Sequence, residues 1–362
     1  MSVLRRIFWI LFFALDALLV VLFLAGYLAY YIRPEFFWWI ELIAVFMPYV
    51  SALLVIATIP LIIGRQWIAL GIHFVLLLLV VIRLDPQRLF HEKAEREGDL
   101  TVMTFNVPRW WGYHMPEKTA EMADLVERID PDIIGLQEAH IAYYPEEPPL
   151  RAAPYVAVIF DSLGFRTVGP EAEGATYTPQ PILSRTGLVG QTQTMLRQDP
   201  TDSIFTAVTR THLRWDGRDL AVYNLHLRTF GEKKPWNDEN APIFKAADLI
   251  PYLRRYREAY RVRAWEVDQI MEMLEEETMP VIVLGDLNST PHNWVMGRLT
   301  DRLRDTFDEA GNGWGMTYHT RLPIFRIDYV LVSDEFEVVS ADVIDAYLSD
   351  HLPLVVKLRW RE

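Results

Sequence analysis

Cysteine is missing altogether from the 362 residues, so the chain can build neither a disulfide framework nor a thiolate-held structural zinc site. The redox compartment cannot be read from it, although a thiol-free chain is compatible with an oxidising space. Charge is scarce in one region only: residues 1–83 carry five basic side chains (Arg5, Arg6, Arg33, Arg65, Arg83) and three acids (Asp16, Glu35, Glu41). Repeats of about 20–50 residues are absent too, as are low-complexity tracts, which excludes a solenoid.

The charge-poor region is filled by apolar residues. Residues 7–32, 36–63 and 67–82 approach the roughly 20 residues that a helix needs to cross a bilayer. Lipid cannot satisfy backbone polar groups, so each stretch is expected to be a transmembrane helix. Pro48 and Pro60 are expected to kink or end the second. Arg5 and Arg6 precede the first run as they would in a signal peptide, but the run is too long and two more apolar runs come after it. Asp16 within it reads as a functional intramembrane carboxylate or as a group packed against a neighbouring helix or the interface. Three spans place the two termini on opposite sides. With the amino terminus inside, Arg5, Arg6 and Arg65 are cytoplasmic and the soluble part beyond residue 83 is extracytoplasmic; Arg83, Arg88, Lys93 and Arg96 weigh against that count.

Residues 84–98 form a polar linker or a helical extension of the third span. From residue 99 to 362 the composition is that of a soluble domain. The first 83 residues hold +2 of the chain's −13, which leaves −15 for the rest. Short β-type runs recur there, beginning at Leu100, Pro154, Pro181, Ile204, Leu220, Met279, Phe325, Val338 and Leu354. Helical spacing places Met122, Leu125, Val126 and Ile129 on one face, and Val262, Trp265, Ile270, Met273 and Leu274 on another. Alternation of this kind predicts an α/β domain with helices layered on sheet.

Several of the β-runs finish on residues that handle metal or phosphate. These are Asn106, Gln137 and Glu138, Asn224 and His226, Asp286 and Asn288, Asp328, and Asp350 with His351. Strand tips share one rim of a sheet, so residues distant in sequence can meet there. Glu138, Asp286 and Asp350 offer hard oxygens, which favour Mg²⁺, Mn²⁺ or Ca²⁺. A phosphoester needs such a cation, a positioned water and hydrogen bonds that strengthen as charge builds. Each motif also has a blander reading: GDLN as a turn after a strand, SDHLP as another turn, and Asp328 as a buried acid satisfied by amides. Asn288-Ser289-Thr290 is also a glycosylation sequon, but the asparagine is better explained by the site.

The ordered series TFNV, LQE, NLHL, GDLNSTP, RIDYVLVS and SDHLPL, spread over residues 100–360, resembles the endonuclease/exonuclease/phosphatase (DNase I-like) superfamily. The resemblance implies a four-layer α/β/β/α sandwich, here preceded by three transmembrane helices. It implies a divalent metal, Mg²⁺ first, with Glu138 as ligand and Asn106 and Asp350 in the same shell. Asp286 would orient or deprotonate the attacking water, Asn288 would hold the phosphate, His226 would bond a phosphate oxygen, and Asp328 would fix the tautomer of His351. The choice of base between Asp286 and His351 stays open. Tyr177, Arg185 and Asn224 are expected near substrate phosphate.

The substrate class is argued from charge and tethering. Polyanion binding draws on Lys and Arg, and a domain at −15 suits nucleic acid poorly. The basic strip Arg254, Arg255, Arg257, Arg261 and Arg263, interleaved with tyrosines, reads as a membrane-surface helix or a solvated one. A domain held beside the bilayer meets lipid headgroups at high effective concentration, and Trp110 and Trp111 suit an aromatic rim at headgroup level. The layout is similar to a bacterial membrane branch of the superfamily associated with glycopeptide-antibiotic resistance, which implies the bacterial cell membrane and a prenyl pyrophosphate among candidate substrates. The expected function is hydrolysis of a phosphoester or pyrophosphate of a membrane lipid, be it phospholipid, sphingolipid or prenyl pyrophosphate. A tethered extracytoplasmic nuclease and a catalytically silent scaffold are the alternatives.

Overall fold

A computed structural model describes residues 3–84, 99–107, 116–143, 150–151, 154–167, 176–196, 206–231, 246–320 and 323–362. Of the expected linker (84–98), Leu84 ends α4 and residues 85–98 lie outside the described residues, as does the Trp110–Trp111 pair. Four helices come first: α1 (Val3–Ala29), α2 (Pro34–Ala44), α3 (Met47–Ile63) and α4 (Trp67–Leu84). The domain opens with β1 (Leu100–Asn106), α5 (Pro116–Ile129), β2 (Ile133–Gln137), β3 (Ile141–Tyr143), β4 (Leu150–Arg151) and α6 (Pro154–Asp161). It continues through β5 (Thr176–Thr178), β6 (Ile182–Ser184), β7 (Gly187–Leu196), β8 (Thr206–Trp215), β9 (Arg218–His226) and α7 (Ala246–Glu276). It closes with β10 (Val281–Asp286), α8 (Trp294–Leu299), β11 (Arg304–Asp305), α9 (Thr306–Ala310), β12 (Asp328–Val332), β13 (Phe336–Val343) and β14 (Leu354–Trp360).

Two mixed sheets carry the domain, ordered β13-β14-β1-β2-β6 and β11-β12-β10-β9-β8-β7. Residues two apart on a strand share a face. In β10, Ile282 and Leu284 enter the core between the sheets, whereas Val281 and Val283 pack outward with α7 and α8. The first sheet does the same, with Val102 inward and Met103 outward toward Leu125 and Val126 of α5. Both faces of both sheets are thus covered, which gives the α/β/β/α sandwich of the DNase I-like fold. The sheets approach closely at Gly135, where a Cβ would sit 1.9 Å from Leu284 Cδ1.

One expected strand, PYVAVIF, is helix α6 instead. Short apolar runs fit either element. Pro154 occupies a first-turn position that needs no N–H, and Val156 and Ile159, three apart, are buried in the same core as α5.

The apolar amino-terminal region differs from three simple spans. α1 is long and apolar enough to cross a membrane, with a mean hydropathy of 2.8. The second expected span is broken, α2 and α3 being bent by 60°. α4 is a shorter apolar helix. The break has a cause in packing: α2 lies on the domain, where Glu41 is 1% exposed. Its carboxylate accepts from Asn293 Nδ2 (2.7 Å) and the Trp294 N–H (3.3 Å), the first turn of α8. Arg33 reaches Asp268 of α7 at 2.6 Å, and Tyr30 bonds Thr300 at 2.6 Å. Asp16 meets His73 of α4 at 2.9 Å, both buried, which matches the packing reading of that acid.

Candidate active site

Leu100 and Val102 of β1, Leu220 and Val222 of β9, Ile282 and Leu284 of β10, and Val330 and Val332 of β12 all point into the core between the sheets. Period-two alternation carries those same rows on to Asn106, His226, Asp286 and Asp328 at the rim. Register brings them level. Asp286 pairs with His226 on one side and Asp328 on the other, and Asn106 pairs with Gln137 in the opposite sheet.

Asp286, 1% exposed, is the hub. Its Oδ2 accepts from Asn106 Nδ2 (3.0 Å) and lies 3.6 Å from His226 Nε2 and 3.8 Å from His351 Nε2. Its Oδ1 accepts the Asn288 N–H at 2.8 Å. That bond requires a tight turn. Gly285 allows it, at φ 137° with no Cβ to strike the Leu225 carbonyl 1.9 Å away. Asn288 completes it at φ 47°, a left-handed conformation that asparagine tolerates better than most residues, and its amide donates to Leu227 O (3.0 Å). Glu138, also left-handed at φ 60°, leaves β2 to bring Oε1 within 4.0 Å of His226 Nε2.

His351 Nδ1 donates to Asp328 Oδ2 at 2.9 Å, both side chains being buried. Burial works against the imidazolium, yet the carboxylates of Asp328 and Asp286 outweigh it and push His351 up to about 10. Burial, reinforced by the nearby Asp328 charge, pushes the Asp286 carboxyl above its ordinary range, while His351 and His226 partly offset the rise.

The donor set fits a hard divalent cation. Glu138 and Asp286 both approach His226 Nε2, at 4.0 and 3.6 Å, oxygen and nitrogen are the donors, and the Oδ1 of buried Asp328 has no hydrogen-bond partner among the described residues. Asp286, Asp328 and His351 also form a compact cluster, their ligand atoms lying within 4.8 Å of one another. Because His351 Nδ1 is already engaged by Asp328, the Glu138–Asp286 side of the rim is the better place for a cation.

Two expected residues lie elsewhere, and a third is not placed. Asn224 shares the inward row of His226 but sits two residues deeper, fully buried, bonded to Gln137 (2.6 Å) and to the carbonyls of Leu136 and Pro181 (2.9 Å each). It braces the two sheets below the rim. Arg185 stands at the opposite end of β2 from Glu138, because β6 runs antiparallel and Ser184 pairs with Ile133. There it bonds Asp130 and lies over the Phe165 ring. Tyr177 pairs with Ala142 through its backbone, its side chain falling outside the described part. Asp350 is exposed at the rim, 3.4 Å from the Ser349 hydroxyl.

Other contributors gave no signal in the sequence. Ser349 donates to Asn106 O (2.7 Å) and accepts the His351 N–H (3.2 Å), tying β1 to the SDH turn. The Tyr318 ring lies 4.8 Å from that of His351. Arg263, placed by its spacing on a solvated or membrane-surface strip, is instead fully buried and donates to Asn288 O and Ser289 Oγ. Within α7 it donates to Ala259 O and lies over the Tyr260 ring.

Residues 103–351 match the profile of the Endonuclease/Exonuclease/phosphatase family. No protein of curated function matches the sequence. Among solved structures, an endonuclease/exonuclease/phosphatase family protein from Leptotrichia buccalis is 17% identical with a TM-score of 0.51, the match covering 72% of this chain and 100% of that one. The mannosyl-6-phosphatase of Bacteroides thetaiotaomicron is 18% identical with a TM-score of 0.51 over the same shares. D. rerio TDP2, solved with a single-strand DNA product, is 14% identical with a TM-score of 0.52, covering 73% and 100%. At these identities the likeness is one of fold.

Proposed function

The chain belongs to the endonuclease/exonuclease/phosphatase family, and from that premise we propose that it is a membrane-anchored phosphohydrolase acting on a phosphoester or pyrophosphate of a membrane lipid. The observation that carries the reading is the convergence of Asn106, His226, His351 and the Asn288 turn on the single buried carboxylate of Asp286. Fold neighbours include a phosphatase and a protein solved with a single-strand DNA product, so the substrate class rests on charge and tethering. The −15 of residues 84–362 disfavours a polyanion. Docking of α2 on α7 and α8 holds the domain to the apolar helices, and large exposed apolar side chains crowd residues 3–82 far more densely than the domain.

In this reading a water attacks phosphorus in line with the leaving oxygen, and the bond from phosphorus to that oxygen breaks. His351, held as a cation by Asp328, donates from Nε2 to the phosphoryl oxygens, and His226 and the Asn288 amide donate beside it. Asp286 takes the proton of the water. Its raised affinity for protons brings it nearer to the pH at which a base works best. Glu138, with Asn106 beside it, would hold the divalent cation, Mg²⁺ before Mn²⁺ or Ca²⁺; Asp350 at the exposed rim is a further oxygen donor. When bound, such an ion neutralises phosphate charge and lowers the pKa of water.

The same helices bear on placement. Arg5, Arg6 and Arg65 lie at the ends of α1, α3 and α4 remote from the domain, whereas Arg33 and Arg83 on the domain side are engaged by Asp268 and by the Tyr30 ring. Arg88, Lys93 and Arg96 follow α4 in the sequence and weigh the other way, so the extracytoplasmic side of the bacterial cell membrane is proposed from an amino terminus placed inside and not from the count of bases. The experiment is a screen with purified full-length protein: lipid phosphates, sphingomyelin, prenyl pyrophosphate and plasmid DNA, each with and without Mg²⁺. Phosphate or headgroup release that needs the metal supports the reading. Nicking of DNA with a steep salt dependence would replace it with the nuclease, and failure of calorimetry to detect any divalent ion would point to a silent scaffold.

A further inference from the structure

The domain-facing ends of three apolar helices enclose a cavity of about 460 Å³. Tyr30, just beyond α1, Pro48 at the start of α3 and Val80 near the end of α4 form one wall, and Met296, Met316 and Phe325 of the domain form the other. Ligand sites are commonly about 300–1,000 Å³, mostly apolar, and placed at seams between units.

Two features point to its occupant. The helix wall is continuous with surface suited to hydrocarbon: Val81 and Ile82, next to Val80, are 49% and 68% exposed. The domain wall is shared with the catalytic rim. Thr290 and Pro291 line the cavity two and three residues beyond Asn288. Met316 precedes Thr317, whose hydroxyl accepts the Asp328 N–H at 3.3 Å. The Phe325 N–H donates to Tyr318 O at 2.8 Å, and the Tyr318 ring rests against His351. Met316 and Phe325 therefore line the cavity while their partners Thr317 and Tyr318 touch the His351–Asp328 pair. Arg326 in the lining is held by Asp305 and Asp308 at 2.8 Å, so its charge is already balanced beside an apolar guest.

We propose that this cavity receives a long hydrocarbon chain of the lipid whose phosphoester lies at Asp286. The proposal rests on the lipid-phosphate reading and adds to it a place where the chain is selected, at the seam between helices and domain.

The test uses the full chain in phosphatidylcholine nanodiscs with a long-chain alkyl phosphate that bears a diazirine on its chain. Bis-p-nitrophenyl phosphate serves as a substrate without a chain. Photolysis and subsequent peptide mass spectrometry are expected to label the peptides holding Met296 and Met316. Val80→Trp and, separately, Val45→Trp, at a lining residue between α2 and α3, fill the cavity from the helix side without touching the rim, and each is expected to weaken that label. Excluding about two methylenes of chain raises KM for the alkyl phosphate roughly 15-fold, while kcat/KM for the substrate without a chain stays as in wild type.

Label confined to the outer faces of α1 and α4, or an equal change of KM for both substrates, overturns the proposal. Absence of hydrolysis of every substrate by wild type refutes the hydrolase reading instead, and the labelling pattern then still decides the cavity. Where a substitution unfolds the seam, the wild-type labelling pattern decides alone.

Discussion

At one end of the sandwich β1, β9 and β10 finish on Asn106, His226 and Asp286, and the inward rows bury amides, imidazoles and carboxylates. At the other end β9 begins and β14 finishes, and the same inward rows bury rings. Trp360 stacks on Phe336 at 4.6 Å and on Trp215 at 5.3 Å, with Arg218 lying over it. Strands, parity and core are common to both ends; the difference lies in which residue comes after the last apolar position. The apolar end is closed by stacked, partly buried rings over fully buried Phe336. The polar end holds two carboxylates and two imidazoles in a buried space, an arrangement that stability alone does not favour.

The contrast predicts that the two ends fail in different ways when altered. The largest effect is expected at the polar end. Asp286→Asn lowers kcat/KM by about 10²–10⁴-fold, while the melting temperature holds or rises, because burial and Asp328 already disfavour charge at that position. Loss of activity that merely tracks loss of fold would erase the distinction.

Next comes the apolar end, where Phe336 is fully buried. Phe336→Ala is expected to cost about 3–5 kcal/mol in urea unfolding with kcat per folded molecule intact.

A smaller effect sharpens the comparison through pH. His351 has a raised affinity for protons in the fold, about 10 against about 6.5 in an unfolded chain. The folded state then binds the extra proton, so this contribution to stability is full below about pH 6.5 and is lost as pH rises through about 10. In metal-free protein the melting temperature should fall over that window, and His351→Gln should flatten the fall. A slope that persists unchanged in the variant assigns it to another group.

The smallest effect is expected at Arg185, whose pairing with Asp130 lies toward the sealed end on an exposed surface. Arg185→Ala should cost at most about 1 kcal/mol and leave KM unchanged. A rise in KM would return Arg185 to the substrate.

Much of the polar end was legible because alternation and motif order speak the same language. GDLN and RIDYV each place an acid on the inward row of a strand, so Asp286 and Asp328 could be expected on one rim. Depth was not legible: Asn224 lies on the same row as His226, and only the closeness of the two sheets at Gly135 shows that a layer of polar bracing intervenes. Strand direction misled for Arg185, since a short run such as ILS does not reveal which of its ends faces the site. PYVAVIF misled because seven apolar residues satisfy either periodicity. Arg263 and Glu41 could not be foreseen, because their partners lie on other elements and nothing in their local sequence distinguishes a buried charge from a solvated one.

The position of β14 in its sheet has a consequence for biosynthesis. It lies between β13 and β1, joining Leu358 to Leu100, and it comes directly after His351. A nascent chain that has already delivered α1 to α4 and every other strand still lacks the piece that closes the first sheet, so the slow, long-range pairing comes after translation has passed Trp360. A chain interrupted before Leu354 therefore lacks the strand that joins β13 to β1, and its first sheet stays open.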